Sequence, residues 1–210
     1  NFITSTYYMN DLPTWVKTFN RGKNIDKLIK NGWNTLLPIA DYTESTKDDV
    51  PWEGKLSGAN KPIFPFDLKK AYAKNKESIR STPFGNTLTL QFAEAAINGE
   101  QLRQRNATDF LTINCASTDY VGHMTGTNSV ETEDVYLRLD KDLAKFFKML
   151  DAKVGKGNYL VFLTADHGAA QAEGFMKENK MPTGFFPSLK KSLDNYLQER
   201  FGTEKLILGL

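Results

Sequence analysis

In the stretch NYLVFLTADHGAA, residues 158–170, an unbroken apolar segment is followed closely by an aspartate and a histidine. Residues 159–163 carry only apolar and aromatic side chains, and Asp166, His167 and Gly168 follow them closely. A short continuous apolar run of this kind predicts a β-strand that is covered on both faces. Adjacent residues of a strand point to opposite faces of the sheet, so Asp166 and His167 can converge only if the chain turns after the strand. Gly168 has no Cβ and favours such a turn. We therefore predict a buried strand that ends in two candidate metal ligands.

A second unit of the same kind lies earlier in the chain. Residues 109–115 (DFLTINC) predict another strand, and the segment ASTDYVGHMTG that follows contains Asp119 and His123. In a parallel sheet, the residues that follow the carboxyl ends of the strands share one rim. We therefore expect this pair to meet Asp166 and His167 there. The two histidines of these pairs are the only ones in the chain.

Helical periodicity accounts for much of the chain around these strands. It predicts helices over residues 67–79, 83–99, 128–150 and 188–202, and a further strand over 206–208. The alternation of helix and strand favours right-handed crossovers between parallel strands. The expected fold class is therefore α/β, with a mostly parallel sheet and helices on both faces.

The composition of the chain changes near residue 83. Residues 1–82 are rich in Asn, Gly, Pro, Trp and Tyr, and they predict an irregular auxiliary lobe with short strands. Residues 83–210 would form the α/β core that carries the metal site. The periodicity also predicts Leu88, Phe92, Ala95 and Ala96 on one face of a helix, and Asn128 with Glu131 as the N-terminal cap of the next.

Composition and charge exclude several classes of function. The chain has 210 residues, 40% of them hydrophobic, and a formal charge of +2 from 27 basic and 25 acidic residues. This even balance predicts no nucleic-acid partner, and no run approaches the ~20 apolar residues of a membrane span. The single cysteine, Cys115, rules out an internal disulfide. The chain starts without Met and stops in EKLILGL, so we expect it to be part of a longer protein.

Paired Asp and His side chains without thiolates indicate an open hydrolytic metal site. Zinc, manganese, iron or magnesium would suit these donors. Two such pairs fit a two-metal centre with ions ~4 Å apart, which stabilises displacement at phosphorus. In the alternative, an Asp-His dyad activates Ser117 or Ser129, although neither serine lies in a GxSxG turn.

The segment CASTDYVGHMTGTNSVETEDVYLRLDKDLAKFFKMLD, together with GNYLVFLTADHGAA, resembles the alkaline phosphatase superfamily. Within it, the likeness is to the type I phosphodiesterase/nucleotide pyrophosphatase branch, and most of all to its bacterial periplasmic phosphate-monoester alkaline phosphatases. The front segments STYYMNDLPTWVKTFN and DYTESTKDDVPWE are similar to that group too. The resemblance therefore extends over nearly the whole chain.

The resemblance implies a function, and it implies which ligands would bind each of two metal ions. Asp119 and His123 would bind one zinc ion, and Asp166 and His167 would bind a second. A Thr or Ser nucleophile that forms a phosphoenzyme would lie upstream of this chain, and a further His ligand would lie downstream. We therefore expect the complete protein to be a periplasmic or secreted phosphomonoesterase that acts on small phosphate esters. We expect this chain alone to be inactive.

The resemblance also leaves other functions open. A phosphodiesterase/nucleotide pyrophosphatase or a sulfatase-like hydrolase would suit the same metal core, because substrate choice resides in the groups around it. The alternative from another class is a non-catalytic binding or structural module. The oligomeric state does not follow from the sequence.

Overall fold

The computed structural model describes residues 1–103, 106–184 and 189–202. The chain forms two compact units, Asn1–Ala172 and Glu173–Leu210. The α-helices of the first unit are α1 (Thr14–Arg21), α2 (Asn24–Ile29), α3 (Leu68–Lys74), α4 (Pro83–Gly99), α5 (Ser117–Thr125) and α6 (Val130–Leu150). Short 3-10 turns cover Ile39–Asp41 and Lys76–Ser81, and a π-turn at Asp151–Gly155 continues α6.

The predicted strands are not paired within the part of the chain that the structure describes. The β-pairing there is one antiparallel bridge, in which Trp33 and Phe66 exchange two backbone hydrogen bonds of 2.9 Å. Residues 109–115 and 159–163 are not helical, and they expose large apolar side chains: Phe110 is 91% accessible. A strand exists only through hydrogen bonds to its neighbours, and no described segment supplies them here. The parallel sheet stays a prediction.

The first hydrophobic core is built around Trp33, which is fully buried. Its other buried members are Ile29, Leu56, Phe66, Leu68, Ala71, Val121 and Val135. This core joins residues from before and after position 82, because α5 and α6 pack against the loops of the N-terminal part. The predicted division at residues 82 and 83 stays a prediction.

A buried carboxylate organises the polar contacts of this core. Asp134 accepts hydrogen bonds from Trp33 Nε1 at 2.6 Å, Leu36 N at 2.7 Å and the Tyr42 hydroxyl at 2.5 Å. Arg138 Nε, one helical turn further along α6, lies 2.6 Å from the same carboxylate. Burial and the hydrogen bond to Asp134 raise the pKa of Tyr42 to about 12. Asp134 thereby fixes the loop 33–42 against α6.

Helix α4 is confirmed over residues 83–99, and its most buried residues are not the four that the periodicity placed on one face. The buried side chains are Asn86, Leu90, Ala93 and Ile97, and the last three pack against Phe146 of α6 in a second core. The predicted residue Phe92 contacts another part of the chain, where its ring stacks on Phe2 at 3.6 Å between centroids. Because α4 packs against both α1 and α6, its apolar residues form two faces. Periodicity alone does not show which of these faces is more deeply buried.

Two helix boundaries in the first unit differ from the sequence prediction, and two helices were not predicted. Ser129, not Asn128, caps α6, and its side chain accepts a 3.1 Å hydrogen bond from Thr132 N. Helix α3 ends at Lys74, where the chain passes into a 3-10 turn. Helices α1 and α2 lie in the lobe expected to be irregular. Both are short and lack a side-chain cap, so packing rather than local sequence stabilises them.

The second unit contains α7 (Glu173–Glu178) and α8 (Leu189–Phe201). The helix predicted over 188–202 is confirmed as α8, and Gly202 ends it with a φ of 66°. Ser188, the first residue of that predicted helix, and the strand predicted over 206–208 lie outside the described residues. Helix α7 lies in a stretch where the sequence predicted no helix. Of the helices described, none combines the length and hydropathy needed to cross a membrane.

Candidate metal centre

Helix α5 carries the first predicted ligand pair. Asp119 and His123 are four residues apart, which is about one helical turn, so both side chains lie on the same face. His123 Nε2 is 3.4 Å from Asp119 Oδ1, and the His123 side chain is 76% exposed. From the sequence, these ligands were predicted to follow a strand, whereas the structure shows them on a short helix.

A buried residue of α4 holds the start of α5. Ala116 precedes the helix and has no side chain able to cap it. Instead Asn86 Oδ1 accepts a 3.0 Å hydrogen bond from the backbone N–H of Ser117. The two helices approach closely because of Gly85, where a Cβ would lie 2.1 Å from Ser117 Oγ. Asn86 was not among the residues predicted from the sequence, although a polar residue in register with Leu90, Ala93 and Ile97 was an available signal.

The second ligand pair reaches the first. His167 Nε2 lies 3.7 Å from Asp166 Oδ2 and 3.8 Å from Asp119 Oδ1. The carboxylate of Asp119 is therefore close to both histidines. All four residues that the sequence predicted as ligands are brought together, and they are accessible to solvent, with side-chain exposures from 40% for Asp119 to 89% for Asp166.

The ring of His167 is oriented by the backbone. Its Nδ1 lies 2.9 Å from the carbonyl oxygen of Gly168, which can only accept, so Nδ1 is the donor. This hydrogen bond, followed by the charges of Asp166 and Asp119, raises the pKa of His167. In the neutral ring the same hydrogen bond leaves the lone pair on Nε2, which faces the carboxylates.

The chemistry of these donors fits a zinc-type ion. Two carboxylates and two imidazoles provide hard and intermediate oxygen and nitrogen ligands, and their exposure fits a site with open positions. Over residues 1–103, 106–184 and 189–202, however, no three His, Cys, Asp or Glu side chains already form a group that could hold an ion. The assignment of each pair to one zinc ion stays a prediction.

The two serines of the alternative triad are structural. Ser117 is 5% exposed and Ser129 is 2% exposed. The hydroxyl of Ser129 lies 2.7 Å from that of Thr125 and also caps α6. Neither hydroxyl is presented to solvent beside a histidine.

A cation lies next to the ligand helix. Arg80 stacks over the ring of Tyr120 at 5.8 Å from its centroid and donates a 3.4 Å hydrogen bond to the Tyr120 hydroxyl. Its other nitrogen pairs with Glu77 at 2.7 Å. Arg80 is therefore fixed against α5 through Tyr120.

Comparison with known proteins agrees with this geometry. The model of the type I phosphodiesterase/nucleotide pyrophosphatase family matches residues 3–195. Over 208 residues the chain is 60% identical to alkaline phosphatase PafA of Elizabethkingia meningoseptica, a match that covers 98% of this chain and 38% of that protein. It is 50% identical over 202 residues to alkaline phosphatase PhoV of Synechococcus elongatus, covering 96% of this chain and 36% of that protein.

The three-dimensional comparison gives the same relationship. The crystal structure of wild-type PafA superposes with a TM-score of 0.89 at 58% identity, over 97% of this chain and 39% of that one. The fold is therefore that of the corresponding part of PafA, and the chain spans under two fifths of the length of these curated relatives. A family match over nearly the whole chain, with both Asp-His pairs inside it, means that the chain belongs to the type I phosphodiesterase/nucleotide pyrophosphatase family of the alkaline phosphatase superfamily.

Proposed function

We propose that this chain is the ligand-bearing part of a metal-dependent phosphomonoesterase of the alkaline phosphatase type. The observation that carries the proposal is the position of Asp119, whose Oδ1 lies 3.4 Å from His123 Nε2 and 3.8 Å from His167 Nε2. The names of two relatives with 60% and 50% identity, both alkaline phosphatases, support monoester substrates.

Each residue of the site has a defined part in this proposal. Asp119 and His123 would hold one zinc ion, and Asp166 and His167 would hold the other. When bound, two such ions supply positive charge to the attacking and leaving oxygens of a displacement at phosphorus and make a water molecule more acidic. Helix α5 fixes the spacing of the first pair, and the Gly168 carbonyl directs His167 Nε2 toward the carboxylates.

The remaining catalytic groups belong to the rest of the enzyme in this proposal. A Thr or Ser nucleophile would attack phosphorus and displace the alcohol of the ester, which leaves as the phosphoenzyme forms; water would then hydrolyse the phosphoenzyme, releasing inorganic phosphate and the free hydroxyl. That nucleophile, an additional Asp ligand and a third His ligand would come from outside this chain, whose match covers 38% of PafA. With part of the ligand set outside it, the isolated chain would bind zinc weakly and turn over no substrate.

We also propose that residues 109–115 and 159–163 are strands of a parallel sheet in the complete protein. Their exposed apolar side chains support this: Phe110, Phe162 and Leu163 are 91%, 81% and 83% accessible. Contiguous apolar surface of this kind is normally covered. A periplasmic or secreted location is part of the same proposal and rests on the family resemblance.

A diesterase is the second candidate, because the matching family is described as a phosphodiesterase and pyrophosphatase family. The test is to measure hydrolysis of p-nitrophenyl phosphate and bis-p-nitrophenyl phosphate by the complete protein, before and after chelation and with added zinc. Faster monoester hydrolysis that is lost on chelation and restored by zinc supports the proposal. Faster diester hydrolysis favours the second candidate, and activity that survives chelation contradicts both.

A further inference from the structure

Helix α5, which carries Asp119 and His123, has little of its own to hold it in place. It contains nine residues, and isolated helices shorter than ~12–15 residues are marginal in water. Its N-cap residue, Ala116, makes no side-chain hydrogen bond to the helix, and Gly126 at the other end has no side chain. The side chains of Asp119 and His123 are 40% and 76% exposed, so they contribute little packing. The position of both ligands therefore depends on what contacts the ends of α5.

The C-terminal end of α5 is capped by a distant part of the chain. The backbone N–H of Gly54 donates a hydrogen bond of 2.7 Å to the carbonyl oxygen of Met124, the residue that follows His123. The last four carbonyls of a helix have no partner within the helix, so Gly54 satisfies one that α5 cannot satisfy by itself. Asn86 holds the first residue of α5, and the two contacts fix the helix at both ends.

Only glycine fits at position 54 in this contact. A Cβ there would lie 2.4 Å from the carbonyl oxygen of Met124 and 3.4 Å from its carbonyl carbon. To restore ordinary van der Waals contact, an alanine at this position and the Met124 carbonyl would have to move apart by about 1 Å. A methyl group at residue 54 would therefore press directly on the backbone of α5, next to His123.

The segments on both sides of this contact are fixed independently of it. Met124 packs its side chain against the first hydrophobic core, and Leu56, two residues after Gly54, is 3% exposed and belongs to the same core. Before Gly54, Glu53 N donates to Val50 O at 3.2 Å, and Val50 N donates to Glu53 Oε2 at 3.1 Å, which closes a turn. The loop therefore cannot withdraw from α5 without disturbing the core or this turn.

Residues 46–54 also hold the chain where it leaves α5. The backbone N–H and the hydroxyl of Thr46 both donate to Asn128 O, at 2.7 Å and 3.1 Å. Asn128 precedes Ser129, which caps α6 and whose hydroxyl lies 2.7 Å from that of Thr125, the last residue of α5. This one segment therefore contacts both the end of the ligand helix and its connection to α6.

We propose that residues 46–54 position the candidate metal centre and that Gly54 is their critical residue, an assignment that rests on the proposed metal-dependent function. By capping α5 at Met124 without a side chain, Gly54 fixes the place of His123 and, through the helix, of Asp119. A metal site tolerates deviations of only about 0.2 Å in its ligand distances, so a shift of α5 by about 1 Å should weaken it. Residues that orient metal ligands typically change metal affinity about 10–100-fold when they are replaced.

The test measures the zinc affinities of the complete protein by competition with a chromophoric chelator, at a temperature at which circular dichroism shows each variant to be folded. His123→Ala removes a ligand and so identifies which affinity belongs to the ion held by α5. Gly54→Ala is expected to weaken that affinity by about tenfold or more. The visible absorption of the cobalt-substituted protein should change too, because it reports on the geometry of the ligands.

Gly99→Ala is the matched control, because it introduces the same kind of clash away from α5. A Cβ there would lie 2.3 Å from Trp15 Cγ, and position 99 is about 20 Å from Asn86 along α4. This variant should lower Tm, as Gly54→Ala does, but it should retain the zinc affinities and the cobalt spectrum of the wild type. Equal affinities in Gly54→Ala and Gly99→Ala would show that Gly54 acts on stability alone and would overturn the proposal.

If Gly54→Ala does not fold, Thr46→Val decides. It removes only the hydroxyl hydrogen bond to Asn128 and retains the shape of the side chain. The zinc affinity assigned to α5 is expected to fall by about two- to tenfold, the equivalent of one lost hydrogen bond. An affinity equal to that of the wild type would overturn the proposal.

The wild type separates this assignment from the proposed function. A complete protein that binds no zinc would contradict the proposed function and, with it, the positioning role of Gly54. Two bound zinc ions in the wild type, together with undiminished affinity in a folded Gly54→Ala, would leave the proposed function standing and reject the positioning role alone.

Discussion

The Nε2 atom of His167 lies 3.8 Å from Asp119 Oδ1, so the ligand pair on α5 and the pair after the apolar run 159–163 share one carboxylate. These residues are 48 positions apart in the sequence. The contact makes the position of α5 critical, because a small shift of this helix separates the two pairs. The residues that hold α5 should therefore affect both stability and the candidate metal centre.

Replacing Asn86 tests how α5 is anchored. Asn86→Ala removes the acceptor of the Ser117 N–H and leaves a buried donor unpaired, which should cost about 1–2 kcal/mol of unfolding free energy. Urea denaturation of the chain measures it. Asn98→Ala, at an exposed position of the same helix, is the matched control and should cost about 0.5 kcal/mol or less. Equal losses in the two variants would contradict the anchoring role.

Gly85 tests the close approach of α4 to α5. In Gly85→Ala the new Cβ would meet Ser117 Oγ at 2.1 Å, so we expect a loss of about 1–3 kcal/mol. Gly122→Ala is the control, since a Cβ there meets nothing within 4 Å, and it should stabilise α5 by about 0.5–1 kcal/mol. Thermal unfolding separates the two. A destabilised Gly122→Ala with a neutral Gly85→Ala would contradict the packing described.

The Asp134 network should be the most sensitive polar group of the first core. Asp134→Ala removes the acceptor for the Trp33 indole, the Leu36 amide and the Tyr42 hydroxyl, and leaves Arg138 without its partner. We expect a loss of about 3–5 kcal/mol, as for other broken buried charge pairs, with a change in tryptophan fluorescence. Asp140→Ala, on the exposed side of α6, should be nearly neutral. A loss of unfolding free energy below about 1 kcal/mol in Asp134→Ala would show that this network contributes little to stability.

In metal-free buffer, the buried glutamates should make the chain less stable as pH rises. Their pKa values are raised from 4.5 to about 7 for Glu53 and about 8 for Glu131. Between the unfolded and folded pKa values the native state binds more protons, so stability is full below about pH 4.5 and is lost as pH rises through 7 and 8. Tm measured from pH 5 to 9 in EDTA checks this.

The matched variant for the pH experiment is Glu131→Gln, which has no charge to bury. Its Tm should decline less between pH 5 and 9 than that of the natural chain. Identical pH profiles would show that Glu131 does not titrate in the folded state over this range.

The sequence predicted the parts of the fold whose signals are local. Pro83 begins α4, and Gly202, with a φ of 66°, ends α8, because these residues act through their own backbone conformations. Gly99 is the last residue of α4 as predicted, but it has no left-handed conformation and Glu100 caps the helix. The four candidate ligands were predicted from chemical type and spacing, and they do lie together. Their role as zinc ligands stays a prediction.

The features that the sequence did not predict depend on distant residues. Helix α5 has no cap of its own and takes one from Asn86, which is 31 residues earlier in the chain. Glu131 is buried where residues 46–54 pack on the junction of α5 and α6, and the buried face of α4 depends on which neighbour each side meets. The predicted strands likewise need partners along their length before a sheet can form.

The most direct test of the central claim is the zinc content of the complete protein. Metal analysis of the purified wild type should give two equivalents of zinc, and Asp166→Ala should lose about one of them, because two ligands hold each ion from this chain. Asp140→Ala, an exposed carboxylate on α6, should retain both. Unchanged zinc content in Asp166→Ala would contradict the assignment of this site.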